Sequence, residues 1–213
     1  MLTDIHTHHT NNQNMTCLIS CSMPGITADT LTAQQYLSLS LHPWYLTPDN
    51  MEPQLEWIEK NLGRENVLAI GEAGLDKVCA VPLSLQIEAF RKVIGIAEAH
   101  RRPLIIHAVR TSNEIIRLKH EIQPAQPWII HGFRGKPELM EDYVRHGFYL
   151  SFGEKYQTGA LEAVPIERMF LETDESSVGI DLLYAQAARV RNTSYEALRQ
   201  AISNNVSNVF FNH

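Results

Sequence analysis

Leu104-Ile105-Ile106-His107 and, further on, Trp128-Ile129-Ile130-His131 follow one plan: a short apolar run that stops at an imidazole. Asp4-Ile5-His6-Thr7-His8 begins the chain in a similar way. Val67-Leu68-Ala69-Ile70 leads into Gly71-Glu72, and Met169-Phe170-Leu171 leads into Glu172-Thr173-Asp174. Apolar runs of this length read as strands buried on both faces of a parallel sheet. Strands that each deliver a metal-type ligand suggest a (β/α)8 barrel of the TIM type, where the C-terminal ends of the strands meet on one face.

Working outward, eight strands are expected: Leu2–Ile5, Cys17–Ser20, Tyr36–Leu41, Val67–Ile70, Leu104–Ile106, Trp128–Ile130, Phe148–Phe152 and Met169–Leu171. Between them, apolar residues recur at helical spacing over Met51–Leu62, Leu83–His100, Glu114–Glu121, Glu138–His146, Asp181–Val190 and Ser194–Phe211. The early gaps are thin. Thr10–Asn14 reads as a polar loop, and Ala28–Gln35 allows at most two helical turns. The expected α/β barrel is therefore compact, with a reduced outer helix ring near the N-terminus. With 213 residues and no linker, residues 1–213 read as a single domain.

Composition narrows the function. Hydrophobic residues make up 44% and charged residues 20%, an ordinary soluble balance. No apolar stretch approaches the roughly 20 residues needed to span a bilayer, and no secretory signal pattern opens the chain. A cytoplasmic location is expected. Cys17, Cys21 and Cys79 are an odd set in a long chain and read as reduced thiols. A formal net charge of −6 argues against a broad basic surface for nucleic acid.

His6 and His8 share one face of a strand. Singly, each histidine has a structural reading as a satisfied core residue or a polar strand end. Together, six nitrogen and oxygen ligands on five strands are not what core packing selects, because buried acids and imidazoles need partners. Imidazole and carboxylate without thiolate suit zinc, manganese or iron rather than a structural cysteine-type site.

The motifs D-I-H-T-H, G-E-A-G-L-D, I-I-H-A-V-R, I-I-H-G-F-R-G and L-E-T-D occur in the order found in the TatD-type metal-dependent hydrolases. Ser40-Leu41-His42-Pro43-Trp44 and the tail Ile202–Phe210 are similar to that family as well. The resemblance spans nearly the whole chain. It implies a two-metal centre of zinc, magnesium or manganese ions, with His6, His8, Glu72, His107, His131 and Asp174 as ligands. It also implies deoxyribonuclease-type hydrolysis, of the 3′–5′ exonuclease type, by a metal-activated hydroxide.

On that basis His6 and His8 are expected on one ion and His107 and His131 on the other. Glu72 would bridge or favour one of them, and Asp174 would ligate and move the proton; Asp174 and Glu72 are thus the catalytic candidates. Two dications, two carboxylates and a hydroxide leave a net positive site, suited to a phosphate oxygen. His42, Arg110 and Arg134 are candidates to grip that oxygen. Arg110 has a competing place beside Asp76, Arg134 as a solvated loop residue and His42 as part of a turn. Asp4 and Glu172 are candidates to orient ligating imidazoles from behind.

The expected partner is an anionic substrate, DNA or another phosphoester, with no membrane and no obligate protein partner. Other readings are an amidohydrolase acting on a small amide or ester and a metal-holding barrel without catalysis. Some departures from the family touch the rim. The segment after the first strand is short, Glu175-Ser176-Ser177 lacks the usual proline, Lys77 follows G-L-D, Val78–Pro82 is a short apolar loop, and Arg134 stands where a smaller residue is usual.

Overall fold

The computed structural model describes residues 3–10, 16–23, 25 and 35–211. Eight strands form one sheet in chain order: β1 (Thr3–Thr7), β2 (Thr16–Ser22), β3 (Tyr36–Leu41), β4 (Val67–Asp76), β5 (Leu104–Val109), β6 (Trp128–Ile130), β7 (Tyr149–Phe152) and β8 (Met169–Leu171). The pairings β1–β2, β3–β4, β4–β5, β6–β7 and β7–β8 are all parallel. Beyond β8 the chain returns to β1. Thr7 and Asp174 form a parallel bridge, Asp174 N donates to His6 O at 2.9 Å, and His8 N donates to Asp174 O at 3.1 Å. This is the (β/α)8 arrangement expected from the sequence.

The helices are α1 (Met51–Asn61), α2 (Leu83–Ala99), α3 (Ser112–Ile122), α4 (Pro137–Arg145), α5 (Thr158–Ala163), α6 (Ile180–Val190) and α7 (Tyr195–Val206), the last running into a π turn over Ser207–Phe211. No helix among the described residues is long and apolar enough to cross a membrane. Of the two thin early gaps, residues 11–14 and 28–34 lie outside the described residues.

The chain divides into two compact units, Met1–Ile19 with Ile129–His213, and Ser20–Trp128. In the first, Phe148, Phe152, Phe170, Tyr184, Ile202 and Phe210 are fully buried, and the rings of Phe170 and Phe210 lie 5.8 Å apart. Polar groups in this core are matched. Asn205 Nδ2 donates to Ile166 O at 2.7 Å and Met169 O at 2.9 Å, fixing α7 to the start of β8. Ser194 caps α7 by accepting from Ala197 N at 3.1 Å.

In the second unit, Leu37, Leu39, Val67, Ile70, Phe90, Ile94 and Trp128 form the core. Here β4 is longer than its apolar run: it continues through Gly71–Asp76, so Glu72 lies within the strand and Asp76 ends it. Main-chain pairing does not require apolar side chains, and the small residues allow a close approach to β5. A Cβ on Gly71 (φ +134°) would sit 2.2 Å from Ile105 O, and one on Gly74 (φ +151°) 2.1 Å from His107 O. Gln86, buried in the first turns of α2, then locks the strand end. Its Oε1 accepts from Asp76 N at 2.7 Å, and its Nε2 donates to Asp76 O at 2.9 Å.

Candidate metal centre

In the first unit, β1 carries His6, fully buried, and His8, partly exposed, follows the strand's end. The turn after β8 carries Asp174 in the left-handed region at φ +55°. Aspartate is among the few non-glycine residues that tolerate this conformation, and the two main-chain bonds to β1 hold it there. Asp174 Oδ1 lies 3.7 Å from His6 Nε2 and 3.6 Å from His8 Nε2. His131 follows β6. Its ring centre is 4.6 Å from that of His6, and its Nδ1 lies 3.2 Å from Glu172 Oε1. His6, His8 and Asp174 offer ligand atoms within 4.8 Å of one another, and so do His131, Glu172 and Asp174.

Two buried carboxylates stand behind these groups, with pKa values shifted in opposite directions. Glu172 is fully buried, which raises its pKa, but His131 and His6 beside it outweigh that and hold it below the usual carboxylate range. Its Oε1 also accepts from Gly132 N at 2.6 Å. Asp4 is pushed up to about 7 by burial, against the lowering effect of hydrogen bonds from Thr173. Those bonds run from Thr173 N at 3.0 Å and Thr173 Oγ1 at 2.6 Å. Glu172 thus meets an imidazole directly, while Asp4 meets the main chain and hydroxyl of Thr173.

A cavity of about 370 Å³ opens beside Asp174, with Arg134, Lys155, Glu154 and Ser176 on its walls. Arg134 and Lys155 are exposed, and Ser176 Oγ donates to Glu154 Oε2 at 2.7 Å. The sequence reading named Arg134 but not Lys155. No motif marks a lysine in the loop after β7.

In the second unit, Glu72 Oε1 lies 2.5 Å from His107 Nδ1 and 3.1 Å from His42 Nε2. His42, Glu72 and His107 are again grouped within 4.8 Å. His42 Nδ1 accepts from Trp44 N at 3.1 Å, which turns Nε2 toward Glu72. The other nitrogen of His107, Nε2, faces Asp76 Oδ2 at 3.0 Å. Asp76 also accepts from Trp44 Nε1 at 2.6 Å and Val78 N at 2.6 Å. Burial raises its pKa, and these bonds more than offset it, holding the carboxyl below its ordinary value.

His42, read as a phosphate grip, thus joins the imidazole–carboxylate group itself. Arg110 is exposed at the end of β5 with φ +55°, and Asp76 spends its oxygens on Trp44, His107, Val78 and Cys79 rather than on Arg110. Asp76 is the residue that sequence reasoning missed. Its signal was the final D of G-E-A-G-L-D, a carboxylate at the true end of a strand.

The donor set suits a divalent cation. Nitrogen and carboxylate oxygen ligands converge without thiolate; Glu172 stands against one ring nitrogen of His131, and His107 lies between Glu72 on Nδ1 and Asp76 on Nε2, contacts of the kind that orient a ligating imidazole.

A family model described as TatD related DNase matches residues 9–211. The metal-dependent hydrolase YabD of Bacillus subtilis is 33% identical over 148 residues, covering 65% of this chain and 58% of that protein. Deoxyribonuclease Tat-D of Schizosaccharomyces pombe is 27% identical over 137 residues, covering 60% and 44%. This chain therefore spans about half the length of these curated relatives. The crystal structure of YjjV, a TatD homolog from Escherichia coli, superposes with a TM-score of 0.85 at 19% identity, covering 98% of this chain and 97% of that one. It shares the fold.

Proposed function

We propose, on the premise that this chain belongs to the TatD-related DNase family, that it is a metal-dependent hydrolase of phosphodiester bonds. DNA is its substrate class, and cleavage proceeds from a 3′ end. The observation that carries the reading is the position of Asp174. One carboxylate belongs to an imidazole group with His6 and His8 and also lines the cavity that holds Arg134.

His6, His8 and Asp174 would hold one divalent cation, zinc, magnesium or manganese. Glu72 and His107 would hold a second, with His42 beside them, and His131 is a further ligand oriented by Glu172. A cation in such a set acts as a Lewis acid and brings the pKa of bound water toward neutrality. Asp174 would accept a proton from the attacking water and return it to the leaving oxygen. Its main chain is pinned to β1, so the carboxylate starts from a fixed place. Arg134 would hold a phosphate oxygen through two parallel hydrogen bonds. Asp76 and Glu172 keep the rings of His107 and His131 from turning.

The test is a substrate panel on metal-loaded protein: single-stranded DNA, duplex DNA, a bis-nitrophenyl phosphate ester and cyclic amides, each with manganese, zinc or magnesium. Phosphodiester cleavage is expected, with Asp174→Asn lowering kcat by roughly 10²–10⁴-fold. No cleavage of any phosphodiester, or equal rates for wild type and Asp174→Asn, would sink the proposal. Turnover of the cyclic amides alone would establish the amidohydrolase reading instead. His107→Ala should lose bound metal by elemental analysis. Unchanged metal content would remove His107 from the site.

A further inference from the structure

Trp44 and Tyr45 present a contradiction that burial alone does not resolve. They are two of the largest apolar side chains in the second unit, yet they are 54% and 58% exposed. The Trp44 ring is braced by a side-chain bond, and the main chain that carries Tyr45 is held. The Trp44 indole donates to Asp76 Oδ2 at 2.6 Å, and its main-chain N donates to His42 Nδ1 at 3.1 Å. Pro43 opens the single 3₁₀ turn that carries both rings. Behind it, Asn50 Nδ2 donates to Tyr45 O at 2.8 Å, while Thr47 N donates to Asn50 Oδ1 at 2.8 Å and Asn50 N to Thr47 Oγ1 at 3.2 Å.

The two rings also flank the imidazole–carboxylate group. Trp44 stands edge-on to His42 at 5.0 Å and to His107 at 5.8 Å, and Tyr45 is tilted against His42 at 5.6 Å. The indole N–H is spent on a carboxylate that also holds His107. The ring therefore offers a face rather than a hydrogen bond. A rigid, uncovered aromatic face beside a group suited to cations is poised to take a planar ring, and little entropy remains to be lost on binding.

We infer that Trp44, with Tyr45, is a stacking platform for a nucleobase of the substrate. The inference rests on the phosphodiester reading, since a ligand that carries both a phosphoryl group and a planar ring is a nucleotide. Stacking of this kind tolerates any base, because every base has a π-face. The platform therefore sets a requirement for a base without selecting a sequence. Trp44 acts here as a specificity residue, through direct contact with the base.

The experiment uses the full chain loaded with zinc and two probes, deoxyadenosine 5′-monophosphate and deoxyribose 5-phosphate. These differ at C1′, which carries the base in one and a hydroxyl in the other. Affinities come from calorimetry, and tryptophan fluorescence locates the contact. The chain has three tryptophans, of which Trp128 is fully buried.

The nucleotide should bind more tightly than the sugar phosphate and should quench emission in wild type but not in Trp44→Phe. Trp44→Ala should weaken nucleotide binding by roughly 5- to 100-fold, the span of base–aromatic stacking. Trp44→Phe, which keeps a ring but loses the bond to Asp76, should stay within about fivefold of wild type. Tyr45→Ala, which touches no bond to Asp76, should weaken the nucleotide and leave the sugar phosphate unchanged. With a DNA substrate, Trp44→Ala should raise KM more than it lowers kcat.

Equal binding of the two probes would overturn the platform, and so would equal losses in Trp44→Phe and Trp44→Ala. The latter would show that the indole serves only to brace Asp76. The two proposals separate cleanly. Base-dependent binding without phosphodiester cleavage sinks the hydrolase reading and leaves the platform standing. Cleavage that is indifferent to Trp44 does the reverse.

Discussion

Asp76 gathers donors from His107, Trp44 and its own following turn, so it orients an imidazole and an indole at once. Asp76→Ala should weaken zinc affinity by about 10- to 100-fold, the usual loss when the partner of a ligating histidine is removed; a competition titration with a metal indicator measures it. The ligand candidates were legible because their identity is their chemistry: a histidine or acid on an apolar strand needs a reason. Asp76 was not legible as a brace, because its partners are set by spatial neighbours such as Trp44, 32 residues earlier. The cysteines carry a separate expectation. Burial pushes the Cys21 thiol up to about 12, while Cys79 is only half-buried. Below about pH 8.5 the thiol is protonated in both folded and unfolded states. Between there and about 12 only the unfolded chain releases its proton, so stability falls as pH rises. Urea titrations at pH 8 and pH 10.5 should show a steeper loss for wild type than for Cys21→Ala, by about 1 kcal/mol per pH unit.

The strands show where an apolar pattern succeeds as a guide and where it stops. β3, β6 and β8 coincide with their expected ranges: β6 and β8 are wholly apolar, and in β3 buried Ser38 and Ser40 alternate with leucines. β4 and β5 outrun theirs, since Gly71, Glu72, Gly74 and His107 keep strand pairing after the pattern has ended. The helix Thr158–Ala163 was missed altogether: six residues containing Gly159 give too short a repeat for periodicity to register. The close seam between β4 and β5 yields a sharp test. Gly74→Ala would drive a methyl against His107 O and force a side chain into a backbone region that favours glycine. It should cost about 2–5 kcal/mol in chemical denaturation. Ser194→Ala, which removes only the cap of α7, should cost about 1 kcal/mol in the same assay.

For the molecule as a whole, the fold class was legible because eight apolar runs separated by amphipathic ones admit few topologies, and a parallel sheet in chain order is the simplest. Which atoms face one another was not legible, since that depends on how the sheet returns to its first strand. If the grouped imidazoles and carboxylates hold metal in the folded state alone, metal and folding are linked. Free zinc at about 100 times its dissociation constant should then stabilise the protein by about 2.7 kcal/mol, and a chelator should remove that gain in calorimetry. The bridge between Thr7 and Asp174 has one more consequence, and it concerns time. A ribosome makes His6 and His8 first, and their carboxylate partner, with the strand pairing that seats it, lies 166 residues beyond His8. At about 5–20 residues per second, that is a wait of roughly ten to thirty seconds. Through all of it the nascent chain carries two histidines with no finished place to put an ion. The group of His6, His8 and Asp174 is therefore completed only after Asp174 has been made and seated against β1.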